Sequence, residues 1–148
     1  MYRSVFVAGT FDGIHKGHEA LLMRAFNEGE KIIIGLTPDD FVKKFKKSIS
    51  RNYITRKKEL EGWLGQKQLM SRASIITIED AYEPAASMPM LDAIVVSSKT
   101  AFRAREINDI RKERVLRELA ILEVPMIDAE DKKPISSTRL RNGEIDRD

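Results

Sequence analysis

Five short runs rich in valine and isoleucine recur along the chain and predict five β-strands. They cover residues 4–8, 31–36, 74–78, 93–97 and 120–127. The first, second and fourth runs are continuously apolar instead of alternating, which is typical of strands that are buried on both faces. Such strands favour a parallel sheet, because helices packed on both sides keep both faces of the sheet away from water.

Apolar residues at helical spacing fill the intervals between these runs. After the first run, four of them repeat at i, i+1, i+4 and i+5 and share one helix face: Leu21, Leu22, Ala25 and Phe26. Gly29 can cap this helix at its C-terminal end. A second helix is predicted over residues 55–64, with Gly65 as its stop.

A third helix is predicted over residues 102–119, where Glu113 stands four residues before Arg117 in the favourable order for a helical ion pair. A short helix is predicted near the C-terminus. Residues 82–91 are predicted to form a loop that either faces a ligand or fills the core with its methionines. Strands and helices that alternate in this way predict an α/β domain of the Rossmann-like, doubly wound type. It should contain a five-stranded parallel sheet with helices on both faces.

Length and composition limit the class of protein. A chain of 148 residues fits one domain, which we expect to span residues 1–148. With 42% hydrophobic and 33% charged residues, the chain is neither disordered nor of low complexity. The apolar runs are far shorter than the roughly 20 residues needed to cross a bilayer, and no secretory leader is predicted, so no membrane partner is expected. The absence of cysteine excludes disulfides and thiolate zinc sites and favours the cytoplasm.

The positive charge is concentrated in one segment. Residues 43–58 carry eight of the 26 lysines and arginines and no carboxylate, which leaves the rest of the chain net negative. A cluster of this size suits a phosphorylated small ligand at least as well as nucleic acid, which usually needs a larger basic face. A solvated basic face without a ligand is the alternative.

The stretch from Gly9 to His18 joins the first predicted strand to the first predicted helix. Ligands of parallel sheets bind at the carboxyl ends of the strands, where this stretch lies. Its three glycines let the backbone approach a phosphate, and the free amides at the helix start add partial positive charge. Both histidines of the chain, His15 and His18, fall inside it three residues apart, so their rings share a helix face and can donate to phosphate oxygens.

Two other interpretations of this stretch stay open. The histidines could bind zinc together with Asp12 or Glu19. They could instead cap the helix and shape its turn without any part in catalysis. The glycine spacing matches neither a Walker loop nor the dinucleotide-binding fingerprint.

A second constellation stands near the C-terminus. Three hydroxyl residues are followed by two arginines at a predicted helix start: Ser136, Ser137, Thr138, Arg139 and Arg141. Hydroxyls, amides and a guanidinium can together bind phosphate oxygens. Taken alone, the motif favours ordinary helix capping.

Together the two stretches resemble the signatures of the nucleotidyltransferase superfamily. The first signature, which ends in His-X-Gly-His, is matched by Gly9, Thr10, His15, Gly17 and His18. The second is an Ile-Ser-Ser-Thr element, matched by residues 135–138. Further stretches at residues 35–39, 95–98, 107–114 and 135–146 look like the archaeal type of phosphopantetheine adenylyltransferase, and this resemblance covers essentially the full chain. It implies transfer of adenylate from ATP to 4′-phosphopantetheine, which gives dephospho-coenzyme A and pyrophosphate.

The resemblance also implies roles for the first signature. His18 would bind the α-phosphate and stabilise its transition state, and His15 would support the adjacent phosphates or the nucleotide. Thr10, with the amide of Phe11, would orient the two reacting phosphates, whereas the backbone of Gly9 and Gly17 would line the ATP site. The implied reaction is an in-line attack without a covalent enzyme intermediate, since a phosphate oxyanion needs no general base.

Other residues receive roles from the same resemblance. Ser136, Ser137, Thr138 and Arg139 would hold the leaving pyrophosphate. Either Lys43 or Lys44 would pair with the incoming phosphate, and Lys44 is counted among the catalytic candidates. Asn108 and Arg111 are weaker candidates on the nucleotide side. Magnesium (Mg2+) is expected with ATP, held largely by phosphate oxygens and water, so that no protein metal ligands are predicted.

Rival functions share these signatures. Related enzymes adenylylate flavin or nicotinamide mononucleotide or cytidylylate glycerol 3-phosphate, and the residues alone do not distinguish the acceptor. Outside the enzymes, a nucleotide- or RNA-binding module is the alternative, because class I aminoacyl-tRNA synthetases carry a related His-X-Gly-His element. The basic segment lacks the interleaved aromatics that stack on single strands, so no nucleic-acid partner is expected. The oligomeric state is left open.

Overall fold

The structure is a computed structural model that describes residues 1–40 and 51–125. Its strands are β1 (Tyr2–Gly9), β2 (Gly29–Leu36), β3 (Ala73–Thr77), β4 (Ala93–Ser97) and β5 (Ala120–Val124). All neighbours pair in parallel, in the order β3-β2-β1-β4-β5. The five-stranded parallel sheet is confirmed. β5 ends at Val124, just before Pro125, which has no N–H to continue the ladder, and residues 126 and 127 of the predicted run lie outside the described residues.

Three α-helices lie wholly within the described residues: α1 (Lys16–Glu28), α2 (Tyr53–Gln66) and α3 (Ala101–Glu113). Gly29 caps α1 as predicted and is also the first residue of β2. Asn52 caps α2 by accepting from the N–H of Thr55. In contrast to the prediction, Gly65 lies inside the last turn of α2. None of the helices in this part of the chain is long and apolar enough to span a membrane.

Two hydrophobic cores cover the two faces of the sheet. One face packs against α1 and α2, and its buried helix residues are Leu22, Ala25, Phe26, Leu60, Trp63 and Leu64. The other face packs against α3 and the segment before β4, with Ala85, Leu91, Ala101, Ala104 and Ile107 buried. Val5 and Val7 of β1 face the first core and Phe6 faces the second, so the central strand is buried on both sides as its apolar run predicts.

The predicted extension of the third helix to residue 119 is wrong. The chain leaves α3 after Glu113, and Val115 adopts a φ of +58°. The side chain of Asn108 then binds both backbone groups of Leu119, which sets the turn that starts β5. The helical ion pair predicted for Glu113 is therefore absent, and Arg117 pairs with Asp92 instead.

The segment at residues 82–91 serves mainly as core. Ala85, Ala86 and Leu91 are buried, and Met88 packs against the second core. Met90 is 51% exposed. Of the two interpretations of this loop, core filling is confirmed for one methionine of the pair.

Replacement of Gly35 by alanine is expected to lower the free energy of unfolding by about 1–3 kcal/mol, because the interior there has no room for a methyl group. A Cβ on Gly35 would stand 2.9 Å from Phe6 Cζ and closer still to Ile78 Cγ2. Urea unfolding measures the change. Gly62→Ala is the matched control, since a Cβ at Gly62 in α2 meets nothing within 4 Å. A Gly35→Ala variant as stable as Gly62→Ala would contradict this packing.

Candidate active site

The loop between β1 and α1 lies at the carboxyl edge of the sheet, where β1 has β2 on one side and β4 on the other. The strand order reverses at this point, which is where doubly wound sheets bind ligands. Thr37, just after β2, holds the loop in place. Its backbone N–H and its hydroxyl both donate to the carbonyl of Gly9, each at 3.2 Å.

His15 and His18 form a reciprocal capping box at the start of α1. His15 Nδ1 accepts from the N–H of Gly17 at 3.0 Å and of His18 at 3.4 Å. His18 Nδ1 accepts from the N–H of His15 at 3.3 Å. A ring nitrogen that accepts a hydrogen bond carries no proton, so each neutral imidazole has its proton on Nε2. The backbone thus selects the tautomer in which Nε2–H is the donor that each ring can offer to a phosphate oxygen.

Packing sets the orientation of the two rings. They stack with centroids 3.7 Å apart, and the ring of Phe11 lies 5.0 Å from that of His18 on a tilted plane. His18 and Phe11 are completely buried, whereas His15 is half-buried. Phe11 reaches this position with a φ of +51°, a left-handed conformation that residues other than glycine rarely adopt. Such strain is typical of functional loops.

The alternative interpretations of the histidine pair have different outcomes. Helix capping is confirmed as a structural role of both residues, and it uses only Nδ1. For zinc, the structure of residues 1–40 and 51–125 holds no cluster of three or more potential metal ligands. Asp12 accepts from the N–H of Arg51 and Glu19 accepts from Trp63 Nε1, so both proposed carboxylate ligands have protein partners.

Two arginines bind this loop, although the sequence suggested only that they belong to a basic segment. Arg51 binds the buried carboxylate of Asp12 through its backbone N–H at 3.1 Å and its guanidinium at 3.5 Å. Arg56 is completely buried and donates to the carbonyl of Thr10 at 2.8 Å. A sequence signal for Arg56 does exist: it shares the apolar face of α2 with Leu60 and Trp63, where an unpaired charge would be unfavourable.

An apolar cavity of about 410 Å³ opens beside the loop. Gly9 and Thr10 of the loop line it, together with residues in the first turns of α3 that include Phe102 and Arg103. The Arg103 guanidinium lies 5.1 Å from the ring centroid of Phe102. The sequence analysis missed this cavity, because its walls come from strands that are distant along the chain.

Asn108 and Arg111, the weaker nucleotide-side candidates, lie in the second half of α3. This helix starts at the carboxyl edge of the sheet and runs toward the opposite edge, so both side chains lie away from the histidine loop. Asn108 binds Leu119, and Arg111 donates to the carbonyls of Ala85, Met88 and Arg117. Burial, together with nearby positive charge, lowers the pKa of the Arg111 guanidinium. The structure gives both residues a role in holding loops, and it does not bring them to the histidines.

The remaining candidates lie outside the described residues: Lys43, Lys44, Ser136, Ser137, Thr138 and Arg139, with the predicted C-terminal helix. The flanks of the segment that carries Lys43 and Lys44 are described. Asp39 accepts from the N–H of Tyr53, and Asp12 accepts from the N–H of Arg51. The two flanks are therefore joined to each other, and the second flank is joined to the histidine loop.

Comparison with known proteins connects this geometry to a family. A family model described as cytidylyltransferase-like matches residues 6–143. A phosphopantetheine adenylyltransferase of Methanothermobacter thermautotrophicus is 43% identical over 145 residues, which cover 98% of this chain and 87% of the relative. The chain belongs to the phosphopantetheine adenylyltransferase family.

Other relatives agree with this assignment. A phosphopantetheine adenylyltransferase of Methanopyrus kandleri is 37% identical over 145 residues, or 98% of this chain and 92% of the relative. Among solved structures, a protein of unknown function from Archaeoglobus fulgidus superposes with a TM-score of 0.74 at 27% identity, over 82% of this chain and 88% of the other. The curated relatives thus agree on the family, and the solved structure agrees with the fold.

Proposed function

We propose that this chain transfers adenylate from ATP to 4′-phosphopantetheine and releases pyrophosphate and dephospho-coenzyme A. The observation that carries the proposal is the pair of tautomer-locked imidazoles at the switch point of the sheet. The apolar cavity that Thr10 helps to line supports the choice of acceptor. A phosphate held at Thr10 would leave the pantetheine arm beside this cavity, which has mostly hydrocarbon walls.

The chemistry requires one displacement at phosphorus. An oxygen of the acceptor phosphate forms a bond to the α-phosphorus of ATP. The bond from that phosphorus to the bridging oxygen breaks, and pyrophosphate leaves with the electron pair. Nε2–H of His18 donates to the α-phosphate oxygens as charge builds there, and His15 supports the neighbouring phosphates. Thr10 and the Phe11 amide orient the reacting groups, and Gly9 and Gly17 allow close approach of the backbone.

Residues outside the described part complete the proposal. Either Lys43 or Lys44 pairs with the acceptor phosphate, which the anchored flanks of their segment support. Ser136, Ser137, Thr138 and Arg139 hold the pyrophosphate. We further propose a single domain over residues 1–148 and a cytoplasmic location, in agreement with the cysteine-free composition.

Magnesium fits this site through the nucleotide. The nearby carboxylates of Asp12 and Asp39 are engaged by Arg51 and Arg56. The residues present therefore suit an ion that is held by phosphate oxygens and water. Bound in that way, Mg2+ would neutralise triphosphate charge, while the histidines act on the α-phosphate.

Pyrophosphate release by the purified protein tests the function. The main reaction contains magnesium-ATP and 4′-phosphopantetheine. Parallel reactions contain ATP with flavin or nicotinamide mononucleotide, and CTP with glycerol 3-phosphate. Turnover only in the main reaction is expected. Turnover with another pair would refute the acceptor, and no turnover in any reaction would favour a binding module.

The cavity predicts a selective effect of Phe102→Ala. Phe102 is 47% exposed at the mouth, so its loss removes part of the apolar wall without opening the core. We expect KM for phosphopantetheine to rise by about fivefold, because roughly half of a phenylalanine side chain contributes on the order of 1 kcal/mol. KM for ATP should not change. Met70→Ala, at a residue 41% exposed before β3, is the control. Equal KM values for the acceptor in both variants would exclude the cavity as the acceptor site.

A further inference from the structure

Arg56 is a buried charge that joins three separate segments. Its Nη1 donates to the carbonyl of Thr10 at 2.8 Å, and its Nε donates to the carbonyl of Arg51 at 3.1 Å. Its Nη2 donates to Asp39 Oδ1 at 2.9 Å, which is also an ion pair. The side chain has no exposed surface. Burial of a charged group costs desolvation free energy, so we expect the buried Arg56 guanidinium to have a specific structural or functional role.

The carbonyl that Arg56 binds belongs to a strained part of the chain. Thr10 directly precedes Phe11, whose φ is +51°, and Gly13 follows with a φ of +84°. Strained conformations persist only where the surroundings hold them in place. Arg56 holds this loop directly at Thr10. It also acts through Arg51, whose carbonyl it binds and whose N–H binds Asp12.

The geometry of these contacts requires a guanidinium. Three nitrogens of one planar group donate to three acceptors on different segments. A lysine at this position would place a single ammonium group at the end of a flexible chain. That group could not form all three hydrogen bonds with the same geometry. The contacts therefore distinguish arginine from lysine at equal charge.

We propose that Arg56 is a positioning residue for adenylate transfer. It holds Thr10 and the strained Phe11 peptide so that the two reacting phosphates are aligned, and it does so without contacting either substrate. The role rests on the proposed function, since Thr10 is assigned there to orient the phosphates. It also predicts a property of the loop that is measurable without any substrate.

Arg56→Lys is the central variant, and Arg72→Lys is its matched control. Arg72 binds the carbonyls of Phe26, Gly29 and Glu30 at the far end of α1, so the control removes the same kind of contact away from the loop. Arg56→Lys should lower kcat by about 10²-fold, as misplaced reactants do, whereas Kd for ATP measured by calorimetry should change by less than about threefold. Arg72→Lys should retain kcat. An equal effect on kcat in both variants would show that Arg56 has only a structural role and would refute the proposal.

A double-mutant cycle with Thr10→Ala tests whether Arg56 acts through the loop. If it does, Arg56→Lys should cost less than about tenfold in kcat once the Thr10 hydroxyl is absent, because the two losses overlap. Losses that multiply independently would overturn the proposal. A general loss of stability would not produce this coupling.

Hydrogen exchange of the ligand-free protein separates this inference from the proposed function. Backbone amides of residues 10–13 should exchange faster in Arg56→Lys than in the original chain. In Arg72→Lys, the exchange rates of the same amides should not change. If Arg56→Lys fails to fold, Asp39→Asn, which removes only the charge partner, should show faster exchange in the same peptide. Unchanged exchange in the folded variant would refute the role of Arg56, even if phosphopantetheine turnover is normal. Faster exchange without turnover would refute only the substrate assignment.

Discussion

Replacement of His18 by alanine is expected to lower kcat by about 10²-fold or more, which is the effect of deleting one preorganised donor to a developing oxyanion. Nε2–H of His18 is the group removed, and its ring orientation is set by stacking on His15 and by Phe11. Steady-state pyrophosphate release measures the loss. Since the interaction strengthens in the transition state, KM for ATP should change much less than kcat.

Two amide variants separate the donor of His18 from its structural contact. Asparagine places an acceptor near the position of Nδ1, which binds the N–H of His15, and glutamine places a donor near Nε2. His18→Gln should therefore retain more activity than His18→Asn. The reverse order, or nearly normal kcat in His18→Ala, would show that the ring serves only to cap the helix.

His15 should have separable effects on stability and on catalysis. His15→Ala removes the acceptor for the N–H groups of Gly17 and His18 and should lower the free energy of unfolding by about 0.5–2 kcal/mol. His15→Asn keeps an N-cap acceptor and should regain most of that stability. Both variants lack Nε2–H, so both should lose kcat by about 10- to 100-fold. Thermal unfolding and pyrophosphate release on the same preparations compare the two effects.

The asparagine variant decides between the two interpretations of His15. If His15→Asn has normal stability and reduced kcat, the ring contributes to the reaction beyond its cap. If its kcat is also normal, capping is the whole contribution of His15. The assignment of this residue to the ATP phosphates would then be wrong.

The strands were predictable because their signal is local. A continuously apolar run such as 93–96 can be buried on both faces only in the middle of a covered sheet, and β4 occupies that place. The third helix was predicted too long for a related reason. Spacing of apolar residues continues beyond Glu113, but the binding of Leu119 by Asn108 turns the chain toward β5. That contact joins residues 11 positions apart and leaves no periodic pattern.

The candidate site likewise has features that the sequence predicts and features that only the structure shows. The sequence by itself determined that two histidines stand at a helix start after a buried strand, since spacing alone brings them to one face. Which ring nitrogen carries each proton is set locally, by backbone N–H groups two or three residues away at the folded helix start. Only the tertiary structure decided that the ring of His18 is completely buried. It also moved Asn108 and Arg111 away from the loop and brought Arg56 to it. The physical reason is that side-chain chemistry and local periodicity can be read directly from the sequence. The burial and the long-range hydrogen-bond partners of a side chain arise only when distant segments pack together.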